Sequence, residues 1–120
     1  KNSDYISLHC PLTPATRHLI NADTLALMKP TAFLINTSRG ALIDEQALIR
    51  ALKDHKIAGA GLDVQETEPP VKDSPLYTLD NVILTPHMGW KGLETRQRLL
   101  SILTGNIDGF INGNPVNVVS

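Results

Sequence analysis

Cysteine is almost missing from this chain. Cys10 is the only one in 120 residues, which excludes an internal disulfide and a cysteine zinc site and fits a reducing, cytoplasmic setting. Excess charge is missing too. The formal net charge is −1 and no basic block interrupts the sequence, so nothing favours nucleic acid or an anionic membrane surface as partner. No apolar run approaches the length needed to cross a bilayer. There is no internal repeat and no low-complexity segment. Nor is there a G-x-G-x-x-G phosphate loop. Gly59-Ala60-Gly61 lacks the third glycine, and its segment continues as strand instead of opening a helix.

What is present is ordinary in amount, with 42% hydrophobic residues, and informative in placement. Residues 32–35 (AFLI) predict a strand buried on both faces, the habit of parallel sheets. The chain then turns polar at once with Asn36, Thr37, Ser38 and Arg39, and Gly40 permits a sharp turn. An Arg at the end of a buried strand sits at a rim where its planar fork suits a carboxylate. The competing role for Arg39 is a structural pair with a neighbouring acid. The same event recurs three times. Residues 5–8 (YISL) run into His9-Cys10-Pro11, residues 57–64 (IAGAGLDV) carry Asp63 near their end, and residues 82–84 (VIL) run into Thr85-Pro86-His87.

Helical patterns separate these strands, so the fold class is α/β, part of a doubly wound, Rossmann-like parallel sheet with flanking helices. Residues 16–20 suggest a short extended piece. Asn21 is a good cap for a helix through Met28, with Asp23 in its first turn and Pro30 after it. Asp44 caps a second helix, Ile43 and Leu48 are spaced for a hydrophobic staple, and Ala47, Leu48, Ala51 and Leu52 form its buried stripe. His18 and His55 are expected at the surface. Gly59 and Gly61 suggest close approach by another backbone or by a flat ligand. The segment 65–81, rich in acids and prolines, shows no periodicity. A last helix starts near Leu93 with Leu99, Ile102, Leu103, Ile107 and Phe110 on one face, and Gly113 and Pro115 stop it.

In an open parallel sheet, ligands bind beyond the carboxyl ends of the strands. That rule brings Cys10, Thr37, Arg39, Asp63 and His87 to one crevice. His87 is the natural proton donor or acceptor near neutrality, set against the plainer role of a buried histidine satisfied by one backbone bond. A catalytic imidazole needs an orienting acceptor, preferably a carboxylate, and Glu66 and Glu68 both precede it within reach. Asp63 is better placed to face a ligand amide or a cation. An Arg, an acid and a His beside a flat ligand amount to half of a 2-oxoacid reduction, with a cofactor needed for the hydride.

At this level of detail, NTSRGALIDEQALIRAL, IAGAGLDVQETEPP and NVILTPHMGW together resemble the D-isomer-specific 2-hydroxyacid dehydrogenases, NAD(P)-dependent oxidoreductases. HCPLTPATRHLI resembles the segment under the adenine side of their cofactor. Glycerate dehydrogenase and hydroxypyruvate reductase members are the most similar. The resemblance implies that Arg39 binds the substrate carboxylate and carbonyl. It implies that Glu68 is the partner of His87, that His87 is the general acid/base, and that Asp63 holds the nicotinamide carboxamide. Thr37, Ser38 and the turn His87, Met88, Gly89 and Trp90 would line the nicotinamide, with Arg39 beside it, while Cys10 and Pro11 lie along the dinucleotide. The cofactor is NAD or NADP, NAD favoured. The substrate is a small 2-oxoacid or 2-hydroxyacid, and the intact enzyme a cytoplasmic homodimer. No metal ligand set is implied. Residues 1–120 are expected to be a partial dinucleotide-binding domain, the carboxyl-terminal portion of a longer protein without the first βαβ unit. Residues from about 100 to 120 would form a helix and tail directed at a separate substrate domain.

Three departures stand out: Gln65 replaces an aromatic residue, Trp90 stands where a small residue is common, and the glycine fingerprint is missing. Glu68 argues against formate dehydrogenases, in which an amide is expected there. The same domain also occurs in NAD-sensing corepressors, so a binding module without turnover is the alternative.

Overall fold

A computed structural model describes residues 1–119; Ser120, the last residue of the expected tail, lies outside the described residues. The chain divides into two compact units, residues 1–87 and the residues from Met88 onward.

The first unit is built on four strands, β1 (Tyr5–Leu8), β2 (Phe33–Asn36), β3 (Gly59–Leu62) and β4 (Val82–Leu84). They lie in the spatial order β1-β2-β3-β4 and every pair is parallel, with Leu8 opposite Asn36, Asn36 opposite Leu62 and Leu62 opposite Leu84. The strands end level with one another, so the segments that follow them emerge on one edge of the sheet. Two helices, α1 (Ala22–Ala26) and α2 (Glu45–Lys53), join the strands. Leu8, Leu25, Leu34, Leu42, Leu48, Leu52, Ile57 and Leu62 form one buried cluster between helices and sheet. Each such side chain contributes about 1.5–3 kcal/mol by leaving water.

Burial on both faces of the sheet, expected from residues 32–35, does not hold within this unit. Side chains alternate along a strand. Leu34 is buried toward the helices, whereas Phe33 is exposed on the other face, beside Tyr5 at 69% exposure and Ile83 at 74%. The Tyr5 and Phe33 rings stack on that open face at 5.6 Å between centroids.

Capping sets the helix starts as expected. The Asn21 side chain accepts from Asp23 and Thr24 N–H, and Thr24 Oγ1 accepts from the Asn21 N–H, a reciprocal box. α1 ends at Ala26 rather than Met28, because Leu27 and Met28 close tighter bonds to Thr24 and Leu25. Asp44 accepts from the Ala47 N–H at 2.9 Å and starts α2, whose buried stripe also includes Ile49. Residues 16–20 are not an extended piece. Thr16 and Arg17 close a turn on the Thr13 carbonyl, and only Ile20 bridges to Ile43. The stretch 65–81 is not featureless either. Ser74 caps a 3₁₀ turn, Pro75–Thr78, whose Leu76 is fully buried.

Gly59 answers the question about its close neighbour. A Cβ there would stand 2.6 Å from the Asn81 carbonyl oxygen and 3.0 Å from the Phe33 ring, so protein backbone and a side chain fill the space; at Gly61 a Cβ would meet nothing within 4 Å. Gly40 is tighter. Its Cβ would stand 1.8 Å from the Gln65 carbonyl oxygen and 2.5 Å from the Glu66 nitrogen, both backbone atoms. Gly40→Ala is therefore expected to destabilise the protein by about 1–3 kcal/mol, in the range of overpacked cores, readable as a lower denaturation midpoint; an unchanged midpoint would contradict this close approach.

In the second unit, α3 (Leu93–Ile111) is the one long helix among the described residues. The Arg96 guanidinium lies 4.9 Å over the Trp90 ring. Leu99, Ile102, Leu103, Ile107 and Phe110 are all exposed. Gly113 adopts φ +72°, which lets the Asn114 N–H return to the Gly109 carbonyl at 2.9 Å and ends the helix.

Candidate functional site

The level strand ends place four polar segments side by side, and hydrogen bonds fix their shape. At the end of β2, Asn36 is fully buried. Its side-chain oxygen accepts from the Ser38 N–H at 3.1 Å, and its amide donates to the Arg39 carbonyl at 2.9 Å. Ser38 Oγ donates to the Leu8 carbonyl at 2.6 Å, tying this loop to the end of β1. Asn36 is the residue that sequence reasoning missed. Its signal was available: an Asn leaving a strand ahead of Ser and Gly is the ordinary builder of such a turn.

Arg39 is exposed at the tip of this loop, and its Nη1 donates to the Ser38 carbonyl at 2.7 Å. Among the described residues no carboxylate lies within ion-pair distance of its guanidinium. Two clefts meet at its side chain. One, of about 650 Å³, is lined by His9, Cys10, Pro11, Leu12 and Ser38 as well as Arg39. The other brings Arg39 and Gly40 together with Gln65, Glu66, Glu68 and His87. A third cleft, of about 430 Å³, continues from Glu68 and His87 to Asp63, Thr85 and Pro86.

His87 stands where β4 has ended. Its backbone has a left-handed φ of 49°, and its N–H donates to the Asp63 carbonyl at 2.9 Å and the Thr85 carbonyl at 3.0 Å. A non-glycine residue held in that region is uncommon, and it aims the ring in one direction. Nδ1 lies 2.8 Å from Glu68 Oε2, with the two side chains 42% and 38% exposed. An ionised carboxylate can only accept, so Nδ1 carries the hydrogen and Nε2 is the nitrogen directed away from Glu68. The other Glu68 oxygen accepts from the Gln65 N–H at 3.3 Å.

Of the two acids, Glu68 is the one whose carboxylate lies against the His87 ring. Glu66 Oε1 instead meets His18 Nε2 at 2.7 Å and Arg17 Nη2 at 3.3 Å. His18 is accordingly half-buried and hydrogen-bonded to an acid, not the plain surface residue expected. Asp63 is buried, one residue past the end of β3, and accepts a short hydrogen bond from the Thr85 hydroxyl. Cys10 is half-buried against the core, Thr37 is exposed, and Met88, Gly89 and Trp90 belong to the second unit.

The structure therefore joins Arg39, Glu68 and His87 along one cleft, with Cys10, Pro11 and Ser38 on one side of Arg39 and Asp63 beyond His87. A cation, a carboxylate–imidazole pair and a polar floor can bind an anion and move a proton next to it. Among the described residues no group of three or more His, Cys, Asp or Glu could hold a metal ion, and no helix is long and apolar enough to cross a membrane.

Comparison with known proteins gives this arrangement a family. The model of the D-isomer specific 2-hydroxyacid dehydrogenase NAD binding domain matches residues 1–89. A hydroxypyruvate reductase of Blautia hydrogenotrophica is 48% identical over 118 residues, 98% of this chain and 37% of that protein. A glycerate dehydrogenase of Methylorubrum extorquens is 50% identical over 119 residues, 98% of this chain and 38% of that protein. The chain thus spans little more than a third of the length of these relatives. The crystal structure of a Lactobacillus jensenii D-lactate dehydrogenase with NAD+ superposes with a TM-score of 0.93 at 37% identity, covering 100% of this chain and 40% of that one. With a parallel sheet, a matching family model and relatives near half identity over almost its whole length, this chain belongs to the NAD-binding domain family of the D-isomer specific 2-hydroxyacid dehydrogenases.

Proposed function

We propose that the full-length protein reduces a small 2-oxoacid of the hydroxypyruvate or glyoxylate kind to the D-2-hydroxyacid, and that this chain supplies the proton donor and the carboxylate clamp. The observation that carries the reading is the 2.8 Å contact between His87 Nδ1 and Glu68 Oε2 in the same cleft as Arg39.

Arg39, exposed and without an acid of its own among the described residues, presents a planar fork to the substrate carboxylate. Clamping that end turns the neighbouring carbonyl toward His87 and makes the encounter effectively unimolecular. Glu68 holds the imidazole by Nδ1, so Nε2 is the atom that gives its proton to the carbonyl oxygen as negative charge develops there. In the reverse direction Nε2 takes the hydroxyl proton. A bound NAD(P)H, NAD favoured, supplies the hydride that no side chain can. The residues present fit such a group in part. Cys10, Pro11 and Ser38 line an open cleft of about 650 Å³, and Asp63, Thr85 and Pro86 extend the reacting end beyond His87. The exposed apolar residues of α3 support the expectation that this helix packs on a further domain.

The test is direct. Full-length protein is incubated with NADH and hydroxypyruvate or glyoxylate, NADH absorbance is followed, and the product of hydroxypyruvate is resolved by chiral chromatography. NADH loss with D-glycerate as product is expected. Saturable NADH binding without turnover of any 2-oxoacid would overturn the proposal and leave a nicotinamide-sensing module.

Asp63 offers a second check. If its carboxylate accepts from the nicotinamide carboxamide, Asp63→Asn should weaken NADH binding by about 10–100-fold, the value of one hydrogen bond to a charged group. The shape is retained, so thermal stability should move little. A lowered melting temperature with unchanged NADH affinity would make Asp63 a structural residue.

A further inference from the structure

Glu66 is used by nothing in the chemistry above, yet both of its carboxylate oxygens and its N–H are bonded. Its Oε1 accepts from His18 Nε2 at 2.7 Å and Arg17 Nη2 at 3.3 Å. Its Oε2 accepts from the Glu45 N–H at 3.3 Å, and its own N–H donates to Glu45 Oε2 at 3.0 Å. The Arg17 guanidinium and the amino-terminal end of α2 offset the two carboxylates. The segment that supplies His18 is itself fastened. The His18 and Ile20 N–H groups reach the Ala41 and Leu42 carbonyls at 2.9 and 3.0 Å, and the Asp44 N–H returns to the Ile20 carbonyl at 2.8 Å.

Glu68, by contrast, is held among the described residues through hydrogen bonds to the Gln65 N–H and His87 alone. Residues 65–68 form no helix or strand. The same segment presses its Gln65 carbonyl onto Gly40, the residue after Arg39. A shift of this segment would therefore move the partner of His87 and the seat of Arg39 together. From this we infer that Glu66 is a positioning residue: it clamps residues 65–66 to the body of the domain and thereby sets where Glu68 meets His87. The inference rests on the reading of Glu68 and His87 as the proton-transfer pair. Misplacement of about 1 Å at a reacting centre can lower rate by about 10²-fold, so a brace on the segment that carries Glu68 has a large expected effect.

The experiment uses full-length protein and the variants Glu66→Ala, Glu66→Gln, Glu68→Gln and Glu66→Ala/Glu68→Gln. It reads kcat and KM for the 2-oxoacid, NADH affinity, and amide hydrogen exchange at Gln65. Glu66→Ala should lower kcat per folded molecule by about 10–100-fold with NADH affinity changed less than about twofold. Glu66→Gln should fall between, since its carbonyl oxygen still accepts from one donor, and it keeps the test intact if the Ala variant folds poorly. In the Glu68→Gln background the Glu66→Ala change should cost less than about threefold, because one residue acts through the other. Exchange at Gln65 should speed up about tenfold or more, since opening of the segment is what the brace opposes. A lower melting temperature with unchanged kcat per folded molecule would make Glu66 merely structural. Persistence of the full cost in the Glu68→Gln background would show that it does not act through Glu68. If the unsubstituted protein turns over no 2-oxoacid, the exchange readout decides alone: faster Gln65 exchange keeps the brace while the reductase reading falls, and unchanged exchange overturns the brace.

Discussion

His87→Ala is expected to lower kcat for 2-oxoacid reduction by about 10²–10⁴-fold, the usual contribution of a positioned general acid. The ring is carried by a left-handed residue whose N–H is bonded to both Asp63 and Thr85, and Nδ1 is anchored on Glu68. With the ring gone, the forming alkoxide must take its proton from water, while the clamp at Arg39 and the site for the cofactor persist. KM for the oxoacid and NADH affinity should therefore change little, so that the loss falls on kcat. The fold should survive, because the His87 side chain is 42% exposed and its backbone bonds do not depend on the ring. Steady-state kinetics with a parallel NADH titration check this. Turnover within threefold of the unsubstituted enzyme would return His87 to a structural role.

The second large effect is at Arg39. Arg39→Lys should lower kcat/KM by about 10–1,000-fold, roughly 1.4–4 kcal/mol, because an ammonium group cannot make the forked pair with a carboxylate. The loop itself should stay in place. It is shaped by Asn36 and Ser38, which bond backbone groups, and among the described residues the Arg39 side chain adds one bond, to the Ser38 carbonyl. A rise in KM for the oxoacid, with NADH affinity unchanged, is the expected signature. Unchanged kinetics would leave Arg39 as a donor to its own loop and nothing more.

Much of this was legible in the sequence because it depends on local rules. Short apolar runs separated by capped helical stretches specify parallel strands, and the polar residues at the strand ends fall on one edge by topology alone. The caps at Asn21 and Asp44 follow from side-chain chemistry. What the residues did not reveal by themselves was which partners meet across the fold. Glu66 and Glu68 look alike in sequence, and only the path of the chain over Gly40 directs one to His18 and the other to His87. Asn36 was overlooked for a related reason. A buried amide reads as a break in the strand until its two loop bonds are visible. The second face of the sheet was misjudged because residues 32–35 are apolar throughout, and an apolar run does not say which of its two sides this unit covers.

The claim at the centre of this account is that Glu68 and His87 deliver the proton as one unit. A double-mutant cycle on kcat for 2-oxoacid reduction, with Glu68→Gln, His87→Ala and the combined variant of the full-length enzyme, tests it most directly. The expected result is strong non-additivity: Glu68→Gln slows the intact enzyme, but adding it to His87→Ala changes kcat by less than about twofold, because there is no longer a ring for Glu68 to hold. If the two losses instead multiply, Glu68 acts on the reaction independently of His87, and the 2.8 Å contact between them is not the source of the catalytic proton.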